Sequence, residues 1–363
     1  MEFILEQLPY NETRATARTP FHFQKGGSIE QMQLLFSTYG KLAPHKDNVV
    51  LIQHGLSSGC HVLDEGEDCP GWWNDMVGPS KAIDTNRFFV ICINNLGSCF
   101  GSSGPVSISP QAQKPYRMSF PYVTFADIAC SQQLLLKFLG IKQLAAIVGP
   151  SLGGMTALEW ATLYPLQWDK LVIISAPCAA YPYNILNRAI QRQLILKDPG
   201  WQGGHYSQNP TDVLYKARML GQMFYRGYEE MNQRFVKDMK IAQNANFTNE
   251  DFGIFNYFHN MAERFIQRFD TNAYLYALNT MDSFDVREKM LSQQKLFAAQ
   301  HKQALVITVA SDPLYPPDQQ EDTFKLLQQA NIESKLIKHS SIKGHDAFLV
   351  EAQAIGQYIA PFL

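Results

Sequence analysis

The sequence predicts an α/β protein with a mostly parallel central sheet and an inserted helical cap. Two observations carry this. Short apolar runs rich in β-branched residues recur at 49–53, 88–93, 144–148, 171–175, 304–309 and 334–337, with helical segments such as 125–139 and 155–164 between several of them. Strands apolar on both faces that alternate with helices belong to parallel sheets covered on both sides. The alternation then stops. Residues 178–297 are rich in Gln, Asn, Tyr, Arg and Met and read as helices and loops. Such an insertion lies over the C-terminal edge of the sheet, where open α/β sheets bind ligands. The expected division is a core of 1–177 and 298–363 with a cap of 178–297. The run 32–38 alternates less cleanly and reads as an edge strand.

Composition narrows the class. Of 363 residues, 46% are hydrophobic and 18% charged, which allows a large core and excludes a disordered chain. A formal net charge of -2 argues against a nucleic-acid surface. No apolar run is long enough for a transmembrane helix, so no membrane association is expected. Residues 1–10 contain Glu2 and Glu6 and lack the basic start and apolar run of a signal peptide. The six cysteines form no CxxC pair, so the expectation is a reduced, cytoplasmic protein without a metal centre.

The chemistry is announced by Gly149-Pro150-Ser151-Leu152-Gly153-Gly154, between the strand 144–148 and the helix 155–164. This is G-x-S-x-G in the strand–turn–helix context of a nucleophile elbow, the signature of the α/β-hydrolase fold. A serine at such a turn sits in strained backbone, and side chains two residues either side would collide. The helix that follows aims its first N–H groups at the site, where negative charge develops. Pro150 is unusual inside this turn, because it removes a donor.

A serine hydroxyl needs a base to take its proton. His345, in a loop after the last strand, satisfies the chain order Ser, Asp/Glu, His of this fold. Asp312, just after the strand 304–309, is the candidate to hold the imidazole; Asp318 lies further into the loop. The oxyanion hole takes one N–H from the residue after the nucleophile, Leu152. The second comes from Leu56, in His54-Gly55-Leu56-Ser57 after the strand 49–53.

Further blocks resemble one family. They are Gly71-Trp72-Trp73, Gly78-Pro79, Asn95-Leu96-Gly97, Phe120-Pro121-Tyr122, Ala157-Leu158-Glu159-Trp160 and Gly344-His345-Asp346-Ala347. Together they are similar to homoserine O-acetyltransferases, from about Phe36 to the C-terminus and only thinly across the cap. The chain departs from the family pattern at Pro150, Leu152, the loop 54–59 and Pro313.

The resemblance implies transfer of an acetyl group from acetyl-CoA to L-homoserine by a ping-pong route through acyl-Ser151, with no permanently bound cofactor. It also implies a homodimer built through the cap, and substrate contacts from Arg218, Tyr225 and Asp346. Arg218 suits a carboxylate and Asp346 an ammonium. Succinyl-CoA as donor and serine as acceptor are the alternatives. A serine esterase on the same triad and a non-catalytic binding protein are the rivals.

Overall fold

The computed structural model describes residues 1–236 and 252–363. Its centre is a nine-stranded sheet of β1 (Phe3–Gln7), β2 (Glu12–Ala17), β3 (Gln33–Tyr39), β4 (Val49–Ile52), β5 (Phe89–Ile93), β6 (Leu144–Pro150), β7 (Trp168–Ile174), β8 (Gln303–Val309) and β9 (Glu333–His339). They lie in the order β1-β2-β3-β5-β4-β6-β7-β8-β9. The six strands from β5 to β9 run parallel, while β1, β2 and β3 are antiparallel to their neighbours.

Burial on both faces explains the apolar runs of the interior parallel strands, whereas β9 at the edge is exposed or half-buried over most of its length. Along β7, Leu171 and Ile173 join one hydrophobic cluster while Val172 and Ile174 join the other. β4 divides likewise, Val49 and Leu51 against Val50 and Ile52. Successive side chains of a strand point to opposite faces, so both must be apolar when both are covered. Helices α1 (Phe125–Phe138) and α2 (Leu152–Leu163) supply Ile128, Leu135 and Trp160 to the first cluster. α1 starts on a capping box, in which Thr124 and Asp127 each accept the other's backbone N–H.

Two details differ from expectation. The strand over 32–38 is interior, because β1 and β2 extend the sheet beyond it. β1 is exposed over most of its length, and β2 is a polar stretch. Neither carries the apolar run that marks a buried strand.

Among the described residues, seven α-helices separate β7 from β8: α3 (Pro182–Lys197), α4 (Thr211–Gln222), α5 (Tyr228–Phe235), α6 (Gly253–Ile266), α7 (Thr271–Asp282), α8 (Arg287–Ser292) and α9 (Gln294–Ala299). Then α10 (Pro317–Gln329) links β8 to β9, and α11 (Ala347–Val350) and α12 (Ala352–Ile359) end the chain.

Candidate active site

The strand β6 runs two residues beyond its apolar core and ends at Pro150, directly before Ser151. Proline is accommodated there because the last place of the strand needs no ladder donor from it. The next N–H, that of Ser151, bonds the Ile174 carbonyl at 2.9 Å. Ser151 has φ 56° and ψ -127°, and α2 starts at Leu152. A non-glycine residue in this region costs about 1–3 kcal/mol and persists only where its surroundings enforce it. Here they do so through space. A Cβ on Gly149 would stand 2.2 Å from the Gly153 carbonyl oxygen, and one on Gly153 would stand 2.0 Å from that of Gln53. Either substitution would push the turn out of place.

The structure brings Ser151, His345 and Asp312 together. Ser151 Oγ lies 2.7 Å from His345 Nε2, and His345 Nδ1 lies 2.8 Å from Asp312 Oδ2. Asp312 is buried, and its other oxygen accepts the N–H groups of Leu314 and Tyr315, both at 2.9 Å. Pro313, between Asp312 and Leu314, has no N–H to offer, so the turn closes on the two residues after it. His345 is also buried, its ring edged by Tyr225, Tyr315 and Phe348. Asp318, the sequence rival, lies in the first turn of α10.

Leu56 and Leu152 stand together on the wall of two adjoining small cavities of about 30 Å³ each, and Ser151 opens into the second. The N–H of Leu152 belongs to the first turn of α2, where a helix has no acceptor of its own to offer. The loop carrying Leu56 is held by His54. Its Nδ1 bonds the Gly55 carbonyl at 2.8 Å, and its Nε2 accepts the Asn95 N–H at 3.1 Å. Complete burial pulls the His54 imidazole down to about 4, so at neutral pH it is uncharged with the proton on Nδ1.

The second cavity is roofed by α3, α4 and α7, which contribute Arg188, Gly221 and Tyr274 among others. Tyr225 is on its wall; Arg218 and Asp346 are not. Arg218 is buried, donates to the Tyr225 hydroxyl at 3.0 Å and stacks on the rings of Tyr225 and Phe265. Asp346 has Arg226 as its ion-pair partner at 3.9 Å. Burial raises the Asp346 carboxyl, against the lowering influence of His345, Arg226 and Arg218.

Sequence reasoning missed Arg188. It is buried, lines the cavity with Ser151, and shares the carboxylate of Asp282 with Arg192. Two guanidinium groups on one carboxylate leave a surplus positive charge. The Nη2 of Arg188 finds no hydrogen-bond partner among the described residues. The sequence of α3 is amphipathic, but only the structure shows which face is inward. Asn184, Asn187, Arg188 and Gln191 are buried, whereas Tyr183, Leu186, Ile190 and Leu194 are exposed. This helix turns its polar face inward.

Comparison with known proteins bears on the fold and the family. The family model for the alpha/beta hydrolase fold matches residues 48–352. A serine O-succinyltransferase of Litchfieldella anticariensis is 40% identical over 353 residues, covering 95% of this chain and 96% of its own. A homoserine O-acetyltransferase of Methanohalophilus mahii is 37% identical over 350 residues, covering 95% and 71%. Among solved structures, the homoserine O-acetyltransferase of Bacillus anthracis superposes with TM-score 0.87 at 27% identity, covering 99% and 97%. The esterase E22 superposes with TM-score 0.88 at 26% identity, covering 99% and 100%. Fold and relatives together define an α/β-hydrolase-fold enzyme of the acyltransferase kind. The chain belongs to the homoserine O-acetyltransferase family.

Proposed function

We propose that the protein moves an acyl group from an acyl-CoA thioester to the hydroxyl of a small amino acid, homoserine or serine, through an acyl-Ser151 intermediate. The carrying observation is the hydrogen-bonded line Ser151–His345–Asp312 beneath α3, α4 and α7. Ser151 Oγ attacks the thioester carbonyl as its proton passes to His345 Nε2. The oxyanion forms beside the N–H groups of Leu56 and Leu152, and one such donor contributes about 3–4 kcal/mol in comparable sites. Collapse breaks the C–S bond, and the CoA sulfur leaves with the proton from His345. The acceptor hydroxyl then gives His345 its proton, attacks the acyl carbon and releases Ser151. Asp312 holds the imidazole tautomer throughout and stabilises the imidazolium. The acyl-CoA is a co-substrate, and no permanent cofactor is called for.

In this reading Tyr225 meets the acceptor. Arg218 donates to the phenol oxygen, which leaves the phenol proton free for the acceptor carboxylate. Asp346 remains the candidate for the ammonium. Arg188 bears on the donor. Its surplus charge beside Ser151 matches the free carboxylate of a succinyl group and has nothing to do for an acetyl group. We therefore favour succinyl-CoA. The pairing of acetyl-CoA with homoserine is the second reading, carried by relatives named for it. A CoA-release assay of both thioesters against both amino acids decides. The favoured reading expects succinyl-CoA to be the better donor, and sustained CoA release beyond one equivalent per protein with no amino-acid acceptor would sink the transferase.

Hydrolysis is the remaining reading, favoured by the likeness to esterase E22. Transfer requires water to be kept from the acyl-enzyme, and the helices over Ser151 suit that task as a cap. The apolar stripe Tyr183, Leu186, Ile190 and Leu194 on the outer face of α3 supports a homodimer through this cap. A cytoplasmic setting is supported by six free cysteines.

A further inference from the structure

An open cleft of about 580 Å³ is bordered by Glu12 of β2 and by Cys60 and His61. The donor atoms of these three side chains lie within 4.8 Å of one another. A His61 ring nitrogen, Nε2, is 2.8 Å from Glu12 Oε1, and the other, Nδ1, is buried without a hydrogen-bond partner among the described residues. The Cys60 sulfur is already addressed by two donors, Ser37 Oγ and Asn94 Nδ2, both at 3.4 Å. Donors aimed at a sulfur support its thiolate, as the surroundings of metal-bound cysteines do. None of these residues has a part in the proposed acyl transfer.

We propose that Glu12, Cys60 and His61 form an open site for one divalent metal ion of the zinc type. One sulfur, one imidazole nitrogen and one carboxylate oxygen are the donor set that zinc accepts, and three protein ligands leave a fourth position facing the cleft. Binding displaces the Cys60 thiol proton to solvent, while His61 ligates through one ring nitrogen and keeps its proton on the other. With thiolate and carboxylate opposite a doubly charged ion, the filled site is neutral. Arg268, which also borders the cleft, therefore meets no net like charge. No spacing motif reveals the site, because Glu12 and His61 are 49 positions apart.

The test uses the full chain, stripped with a chelator and titrated with cobalt(II) at mildly alkaline pH. The expected result is a thiolate-to-cobalt absorption band that saturates at one equivalent and is abolished by added zinc. Cys60→Ser should lose the band. His61→Gln and Glu12→Gln should weaken cobalt binding by about tenfold or more. Should Cys60→Ser fail to fold, the two partly exposed variants decide. Absence of the band in the unaltered protein overturns the proposal, as does its persistence in Cys60→Ser or unchanged binding in both other variants. The readout is optical, so it stands apart from the acyl-transfer reading.

Discussion

The backbone N–H of Asp346, the residue after the candidate base, donates to the carbonyl of Tyr225 at 3.0 Å. The segment between α4 and α5 is thereby stitched to the loop of His345. The same seam is closed at Gly227, where a Cβ would stand 2.0 Å from the Ile342 carbonyl oxygen. Roof and base thus meet along one seam.

Gly227→Ala should therefore act on catalysis from outside the cavity. A shift of the His345 loop by about 1 Å costs on the order of 100-fold in rate. Steady-state kinetics should show kcat falling by about that factor. An unchanged kcat in a folded variant would mean that the seam does not position the base.

Asp312→Asn should keep the turn, because the amide oxygen can still accept from Leu314 and Tyr315. It should nevertheless stabilise the wrong His345 tautomer, and a loss of about 10⁴ in kcat is expected. Circular dichroism and the unfolding midpoint, measured alongside kcat, separate this from misfolding.

Ser151 and Asp312 were legible because each follows a buried strand, and buried strands show as apolar runs, whereas His345 follows the partly exposed β9 and was legible from the chain order Ser, Asp, His. Ser151 also has its glycines, whose space requirement survives in the sequence as G-x-S-x-G. Arg188 was not legible, because α3 reads as an ordinary amphipathic helix until its polar face is seen to point inward. Arg218 and Asp346 came from family likeness, and the structure sets them beside Tyr225 rather than on the cavity wall. The hairpin of β1 and β2 escaped notice because a partly exposed strand at a sheet edge needs no apolar run.

Replacing Arg188 by Met should separate the two donor readings. Asp282 keeps Arg192 as its partner, so no buried carboxylate is orphaned. A hydrogen bond to a charged group contributes about 1.5–3 kcal/mol, so kcat/KM for succinyl-CoA should fall by roughly 10- to 100-fold. Acetyl-CoA, which has no carboxylate to place there, should be nearly unaffected. Equal losses for both donors would remove Arg188 from donor recognition.

His54 should make the fold sensitive to acid. Its imidazole sits at about 4 in the folded protein against 6.5 in the open chain. Between those values the unfolded chain takes up a proton that the folded one refuses, so stability is lost as pH falls from about 6.5 to about 4. The linked loss is about 3 kcal/mol. Urea unfolding across this range should show a steeper decline for the unaltered protein than for His54→Gln. Parallel declines would contradict the assignment of a neutral buried imidazole.

The acyl-enzyme itself tests the central claim most directly. The protein is mixed with succinyl-CoA or acetyl-CoA without acceptor, quenched in acid, and weighed intact and after proteolysis. The account predicts one added acyl group on the peptide containing Ser151, which disappears when homoserine or serine is supplied before the quench. It predicts none on Ser151→Ala. An unmodified Ser151 with both donors, in protein that still turns over an acyl-CoA and an amino acid, would contradict it.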